Sequence, residues 1–180
     1  LRAEKNVRMF VDLEEELIKK GKTNFKFLIV GEGNEREHLQ RNLKNAEFTG
    51  FLSGEQLAEA YANMDVFIFA SETDAFGNVA QEAAASGVVP IVTDKGGPKF
   101  LVTHGETGFV AASLEDFRDR VIELMDDPQK LEAMRRQARI SAETKSWDAI
   151  FESVYAAYNE TIRLENEKKL KLENNPAEAA

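Results

Sequence analysis

The sequence predicts an α/β fold, a three-layer α/β/α sandwich built on a parallel sheet with helices on both faces. Three observations carry this expectation. Strand-like and helix-like segments alternate with short connections, the pattern of successive βαβ units. The strand candidates FKFLIV, VFIFAS and VVPIV are continuous apolar runs, as required of strands covered on both sides. Hydrophobic residues make up 43% of the 180 positions, enough for a core of that kind.

Taken in order, Val7, Phe10, Val11, Leu17 and Ile18 recur at helical spacing over 7–20, and Gly21 closes that helix. FKFLIV (25–30) reads as a strand, followed by a GEG turn and a helix from Asn34 to Leu43. Residues 47–50 form a short strand, after which Ser53 opens a helix carrying Leu57, Ala60 and Tyr61, with Gln56 completing a capping box. VFIFAS (66–71) is a strand, and Asn78 caps the next helix with Gln81 as its box partner. In the strand over 88–92, Pro90 marks an edge position or a strand end, because it cannot donate to a ladder. A short helical piece follows GGPKF, and GETGFVA supplies a turn and a last strand. Helices then run from Ser113 to Met125, over 129–140, and from Ser146 onward, the last with Trp147, Ile150, Phe151, Val154, Tyr155 and Tyr158 on one face. From Glu165 the chain is charged and then Pro/Ala-rich, the composition of a fraying helix end and disorder. The expected organisation is one domain over 1–164 and a tail over 165–180.

Composition removes several classes of function. There is no cysteine, which excludes thiolate metal sites, disulfide scaffolds and a Cys nucleophile. A net charge of −9 without a basic stripe is unsuited to a nucleic-acid backbone or an anionic membrane surface. No apolar run reaches the ~18–20 residues of a membrane helix, so no direct membrane insertion is expected. LRAEKN resembles neither a signal nor a transit peptide. The expected location is the cytoplasm, with any approach to the cytoplasmic face of a membrane left to a segment outside this sequence. Asp126 and Asp127 before Pro128 read as a helix terminator, His38 and His104 have no nucleophile nearby in sequence, and no metal site is expected.

In folds of this class ligands sit beyond the carboxyl ends of the strands, here the loops at 31–34, 50–54, 72–78 and 93–99. The stretch SETDAFGNVAQEAAASG (71–87) stands out among them. It joins a strand to a helix start, whose free amides and dipole favour an anion such as phosphate. Gly77 would let that ligand approach the backbone closely. Glu82 lies one turn into the helix, eight residues after Asp74. Spacing alone suits a dipole-compatible surface carboxylate and an acceptor for ligand hydroxyls equally well. GEGNER (31–36) starts like a dinucleotide fingerprint, but Arg36 replaces the third glycine and argues against a dehydrogenase or epimerase.

The residues Asp74 and Glu82 around a Phe-Gly turn, then Ala85-Ser86-Gly87, a strand and Gly96-Gly97, resemble the donor-site motif of the retaining family-4 (group 1) glycosyltransferases. FLIVGEG, FTGFLS, MDVFIFAS, HGETGFV and the late Ser-Trp helix are similar to that family in the same order, so the resemblance covers roughly residues 1–160. It implies a Rossmann-like domain, the C-terminal, donor-binding half of the two-domain GT-B architecture. The opening LRAEKN resembles the family's R-L-x-x-E-K-(G/N), which implies that the first strand, the motif's Arg and an N-terminal acceptor-binding domain lie outside this sequence.

By the same resemblance, Glu82 would bind the ribose hydroxyls. Lys5 and the amides of Asn78 and Val79 would hold the diphosphate. Asp74 would stand at the catalytic centre, contacting the donor sugar with the backbone of Ala75, Phe76 and Gly77. Gly50, Phe51 and Leu52 would lie against the base, and Gly31 and Gly33 would shape the cleft floor. The implied activity is retaining, metal-independent hexosyl transfer from a GDP- or UDP-sugar, with mannosyltransferases as slightly favoured relatives. No cofactor is implied beyond the nucleotide-sugar donor substrate, and the chain alone would transfer little. Two departures stand out: Asp74 occupies a position commonly Glu, and GGPKF puts Lys99 and Phe100 where Pro and Glu often stand. Lys99 reads as a solvated surface residue. The competing function is a non-catalytic nucleotide-binding or interaction module with the same fold.

Overall fold

The computed structural model describes residues 1–174, with side chains described through 169. The chain divides into two compact units, Leu1–Ala142 and a second beginning at Glu143. The first unit contains five strands: β1 (Phe27–Val30), β2 (Ala46–Gly50), β3 (Val66–Phe69), β4 (Val89–Thr93) and β5 (Phe109–Ala111). Helices α1 (Met9–Lys19), α2 (Arg36–Asn42), α3 (Gly54–Ala62), α4 (Asn78–Ala85) and α5 (Leu114–Asp126) flank them. Helix α6 (Pro128–Glu143) ends at the division. Short 3₁₀ turns occupy Ala3–Lys5 and Pro98–Leu101.

All strand pairing is parallel, and the expected α/β sandwich with Rossmann-like alternation is what forms. The ladders, however, are two: β1 with β2, and β3–β4–β5. A shared core joins them in place of a continuous ladder. Met9, Leu13 and Leu17 of α1 bury against Val89, Ile91 and Phe109, and Phe27 of β1 and Val66 and Ile68 of β3 pack on the same cluster.

Helix α1 uses more than the single stripe expected of it. Phe10 and Val11, with Val7 just before the helix, face a second cluster around Ile29, Leu39 and Leu43, while Met9, Leu13 and Leu17 face the main one. Ile18 is left exposed, on neither side. Leu13 and Leu17 are fully buried, so truncating either to Ala would cost about 2–5 kcal/mol. Glu14 is also buried on this helix, and its carboxylate accepts from the backbone N–H groups of Lys44 (2.8 Å) and Asn45 (2.7 Å). A buried carboxylate is tolerable when fixed donors replace its water in this way.

Pro90 decides between the two expected positions, in favour of a strand end over an edge. It lies in the central strand of the three-stranded ladder, opposite Phe67 and fully buried. The position is tolerated because β5 pairs with β4 only from Ile91 onward. Pro90 therefore sits at the entry of the strand, where a missing donor costs least.

The second unit contains α7 (Trp147–Asn174), opened by the Ser146 hydroxyl accepting from the Ala149 N–H at 3.2 Å. It carries the anticipated apolar row, and the rings of Trp147 and Phe151 stack with centroids 5.9 Å apart. The helix continues through the part of the tail over 165–174, and residues 175–180 of that tail lie outside the described residues. Among the described residues no helix is long and apolar enough to cross a membrane.

Candidate functional site

Strand β3 ends at Phe69, and the chain then turns through Ser71–Gly77 into α4. The turn is held from below by backbone. Gly97 donates its N–H to the Asp74 carbonyl at 2.9 Å. A Cβ on Gly97 would fall 1.7 Å from the Ala75 oxygen, and one on Gly96 would fall 2.6 Å from the Asp74 oxygen. The Gly-Gly turn after β4 is therefore the seat on which the Asp74–Phe76 backbone rests.

Gly77 occupies the N-cap position of α4 with φ of 87°, a left-handed conformation that favours glycine. A Cβ there would also lie 2.7 Å from Cγ of Pro98. The left-handed backbone and the packing against Pro98 therefore already require a glycine at 77. Asn78 is the first helical residue and not the cap, and no side chain caps α4. The capping box anticipated with Gln81 does not form, and the Gln81 Oε1 is buried without a partner. A left-handed residue places the chain entry differently from the extended N-cap that such a box needs. Ser53 has the extended N-cap conformation before α3 but makes no side-chain cap bond either, whereas Ser113 does cap α5 through the Asp116 N–H. At the start of α4 the helical ladder cannot use the N–H groups of Asn78 and Val79, so these amides point outward from the helix end.

Lys5 reaches this turn from the 3₁₀ piece at Ala3–Lys5, which ends at Asn6 in the left-handed region (φ 52°). Asn is one of the few non-glycine residues that tolerate this conformation. The Lys5 ammonium donates to both oxygens of Asp74 at 2.8 Å. Partial burial pushes the Asp74 carboxyl up, but the Lys5 hydrogen bonds and charge outweigh it and hold the group below its ordinary value. The Ser71 hydroxyl, in a fully buried residue, assists as an electrostatic neighbour of Asp74 without being aligned into a formed hydrogen bond.

Glu82 is exposed on α4, and its Oε2 accepts from the Tyr61 hydroxyl of α3 at 3.1 Å. Burial, the Glu82 charge and that hydrogen bond all push the Tyr61 phenol upward, so it stays a proton donor. The sequence presents Tyr61 only as part of the apolar stripe of α3; the one available signal is a phenol where Phe would pack as well.

At the end of β2, Gly50 takes φ of 76° and its carbonyl accepts from the Gly31 N–H at 2.6 Å. Phe51 follows with its ring 77% exposed, and Leu52 is half-buried beside it. A Cβ on Gly31 would meet nothing within 4 Å, whereas one on Gly33 would strike the Leu1 backbone. Glu32 pairs with Arg36, and the buried Glu35 accepts from Arg8 at 2.7 and 3.2 Å. Both carboxylates at the turn after β1 are thus paired, Glu32 locally and Glu35 with Arg8 from the segment before α1.

The remaining candidates have structural roles. His104 Nδ1 accepts from the Val110 N–H at 3.1 Å, and its ring packs edge-on against Phe109. Asp126 pairs with Lys22, and Asp127 follows the end of α5 and caps the start of α6, accepting from the Lys130 N–H at 2.9 Å. Lys99 lies with its ammonium 5.2 Å from the centroid of the Phe100 ring, which is itself 81% exposed. Among the described residues no group of three His, Cys, Asp or Glu side chains is placed to hold a metal ion.

A sequence-family model described as glycosyl transferases group 1 matches residues 1–141. A GDP-mannose-dependent alpha-mannosyltransferase of Mycobacterium tuberculosis is 36% identical over 141 residues, covering 77% of this chain and 36% of its own length. The protein of the same name from Corynebacterium glutamicum is 33% identical, over 80% of this chain and 35% of its own. The chain thus spans about a third of these relatives. Among solved structures, a pneumococcal O-GlcNAc transferase in complex with UDP and GlcNAc superposes with a TM-score of 0.72 at 22% identity, over 89% of this chain and 34% of that one. The C-terminal domain of a group 1 glycosyl transferase from Francisella tularensis gives 0.68 at 21% identity and covers 81% of each chain. These structural neighbours share the fold of one half of the GT-B architecture.

Proposed function

Because this chain belongs to the group 1 glycosyltransferases, we propose that residues 1–164 are the donor-binding half of a retaining enzyme that moves a hexose from a nucleotide-diphosphate sugar to an acceptor. The observation that carries this reading is convergence. Lys5, 69 residues away in sequence, binds Asp74 at the strand-to-helix turn that also carries the outward amides of Asn78 and Val79 and, one turn into the helix, Glu82.

In this reading the donor diphosphate lies across the start of α4, where amides, helix dipole and the Lys5 ammonium supply fixed positive charge. Transfer leaves negative charge on the departing nucleotide, and charge already in place for it stabilises the transition state without reorganisation. Lys5 and the amides carry that task themselves, which is why the transfer is proposed to need no metal ion. The Glu82 carboxylate accepts from ribose hydroxyls, as acidic residues do in related nucleotide sites. The exposed Phe51 ring offers a face for the base, with Gly50 and Leu52 beside it. Asp74, with the Ala75–Gly77 backbone, lines the sugar position. In the structure Lys5 is bound to Asp74, so diphosphate binding requires the ammonium to exchange one anionic partner for another.

GDP-mannose is the favoured donor, since two of the relatives are named for it. Acceptor recognition and closure over the donor are assigned to a domain outside this sequence, because the relatives are about three times as long as the matched region. The chain alone is accordingly proposed to bind donor weakly and to transfer little.

Calorimetric titration of GDP, UDP and ADP, with their sugar conjugates, tests this. Selective binding of one nucleotide, lost in Glu82→Ala and weakened in Lys5→Ala, is the expected result. Equal binding to wild type and Glu82→Ala would remove the ribose from this turn and leave the non-catalytic module as the better reading.

A further inference from the structure

Glu82 is exposed, yet a carboxylate that must accept two ligand hydroxyls in a fixed geometry gains from being immobilised beforehand. Glutamate in water samples many rotamers, and fixing it on binding costs side-chain entropy. The Tyr61 hydroxyl addresses this. Its ring is 7% exposed and sits in a cluster with Ala83 and Val88, with Leu57, Met64 and Phe67 packed around it. The Phe67 ring lies 5.9 Å away, tilted against it. The phenol oxygen is therefore a fixed post at the edge of a packed core. It has a single proton and two acceptors in reach, Glu82 Oε2 at 3.1 Å and the Val79 carbonyl at 3.5 Å. The shorter contact, to a charged acceptor, is the stronger.

We propose that Tyr61 is a positioning residue for nucleotide recognition: its hydroxyl holds one oxygen of Glu82, leaving Oε1 aimed outward for the ribose of a nucleoside diphosphate. The inference rests on the reading of Glu82 as the ribose acceptor. It adds a mechanical link between subsites. Helix α3 begins at Gly54, two residues after Leu52, so the same helix that carries Tyr61 is continuous with the loop assigned to the base. A base seated on Phe51 and a ribose on Glu82 are then held by one rigid element and its hydrogen bond. The raised pKa of Tyr61 supports this arrangement, since the phenol remains protonated throughout the range in which a nucleotide would bind.

The test is a titration of GDP, UDP and their 2′,3′-dideoxy analogues into wild type, Tyr61→Phe, Glu82→Ala and the double variant. Tyr61→Phe keeps the ring and its packing, and circular dichroism with thermal unfolding verifies the fold. The expected result is a loss of about 3–10-fold in affinity for the ribonucleotide in Tyr61→Phe, a loss typical of one hydrogen bond, with the dideoxy analogue bound as in wild type. In the Glu82→Ala background, Tyr61→Phe should cost nothing further, the non-additivity of two residues acting as a unit. If Tyr61→Phe weakens both nucleotides equally, or neither, while Glu82→Ala selectively weakens the ribonucleotide, the positioning role is wrong and the Glu82 assignment stands. If Glu82→Ala has no selective effect, the Glu82 assignment itself is wrong. Binding of neither GDP nor UDP at millimolar concentration overturns both.

Discussion

The turns after β1 and β3 occupy equivalent places, each at the carboxyl end of a strand and each opening a helix, yet they are finished in opposite ways. After β1 both carboxylates are paired: Glu32 with Arg36, and the buried Glu35 with Arg8. Gly33 is packed against the Leu1 backbone. After β3 the polar groups are left incompletely satisfied. Asp74 is paired with Lys5, but the buried hydroxyl of Ser71 and Oε1 of Gln81 have no formed partner, and Phe76 is half exposed. Buried polar groups without partners cost stability, and they cluster where a ligand completes the set. The lesson is that equivalent positions in this fold become structural or functional according to where the local hydrogen-bonding is closed.

Breaking the seat of the second turn should have the largest effect. Gly97→Ala forces a Cβ into the Ala75 carbonyl, with overpacking worth about 1–3 kcal/mol, and the displaced Asp74–Phe76 backbone should abolish detectable nucleotide binding. Thermal unfolding and calorimetry on the same sample check both parts. Next comes Glu82→Ala, which removes hydrogen bonds to a charged group worth about 1.5–3 kcal/mol and should weaken nucleotide affinity roughly 10–150-fold with little change in melting temperature. The mirror experiment in the first turn is Glu35→Gln. It should lower the melting temperature by loosening Arg8 while leaving nucleotide affinity unchanged, so a loss of affinity would erase the distinction between the turns.

A smaller effect concerns acid stability. Asp74 has a depressed pKa in the folded state, so it contributes stability that is complete above its unfolded value and is lost as pH falls through the folded one. Below about pH 4 the wild type should therefore lose stability more steeply than Lys5→Met, in which burial acts on Asp74 without the ammonium. Urea unfolding at a series of acid pH values measures the two slopes. Smallest of all, Lys99→Ala should alter nucleotide affinity less than about twofold, because its ammonium lies over the Phe100 ring and makes no contact with Asp74 or Glu82 in this structure.

Much of this contrast was legible from residue order, and the reasons for the rest are physical. Apolar runs located β1, β3 and β4 because a buried parallel strand has no polar face to hide, and the strand-turn-helix pattern singled out residues 71–87. The split into two ladders was not legible, since hydrogen-bonded pairing between strands is a property of packing. Nor was the packing at Gly77 and Gly97, against Pro98 and the Ala75 backbone: close approach of a loop and close approach of a ligand require the same residue. Asn78 and Gln81 fit a capping box by spacing, but the box also needs an extended N-cap, and Gly77 denies it. Tyr61 was hidden because its ring packs as any aromatic would, while its function lies in one oxygen that meets a residue on another helix.

The most direct test of the central claim is to follow backbone amide resonances while adding GDP or UDP to millimolar concentration. The account predicts shifts centred on 71–82, with Lys5 and 50–52, while the amides of 34–36 stay nearly still. Shifts centred on 34–36, or no shifts with either nucleotide, would contradict it.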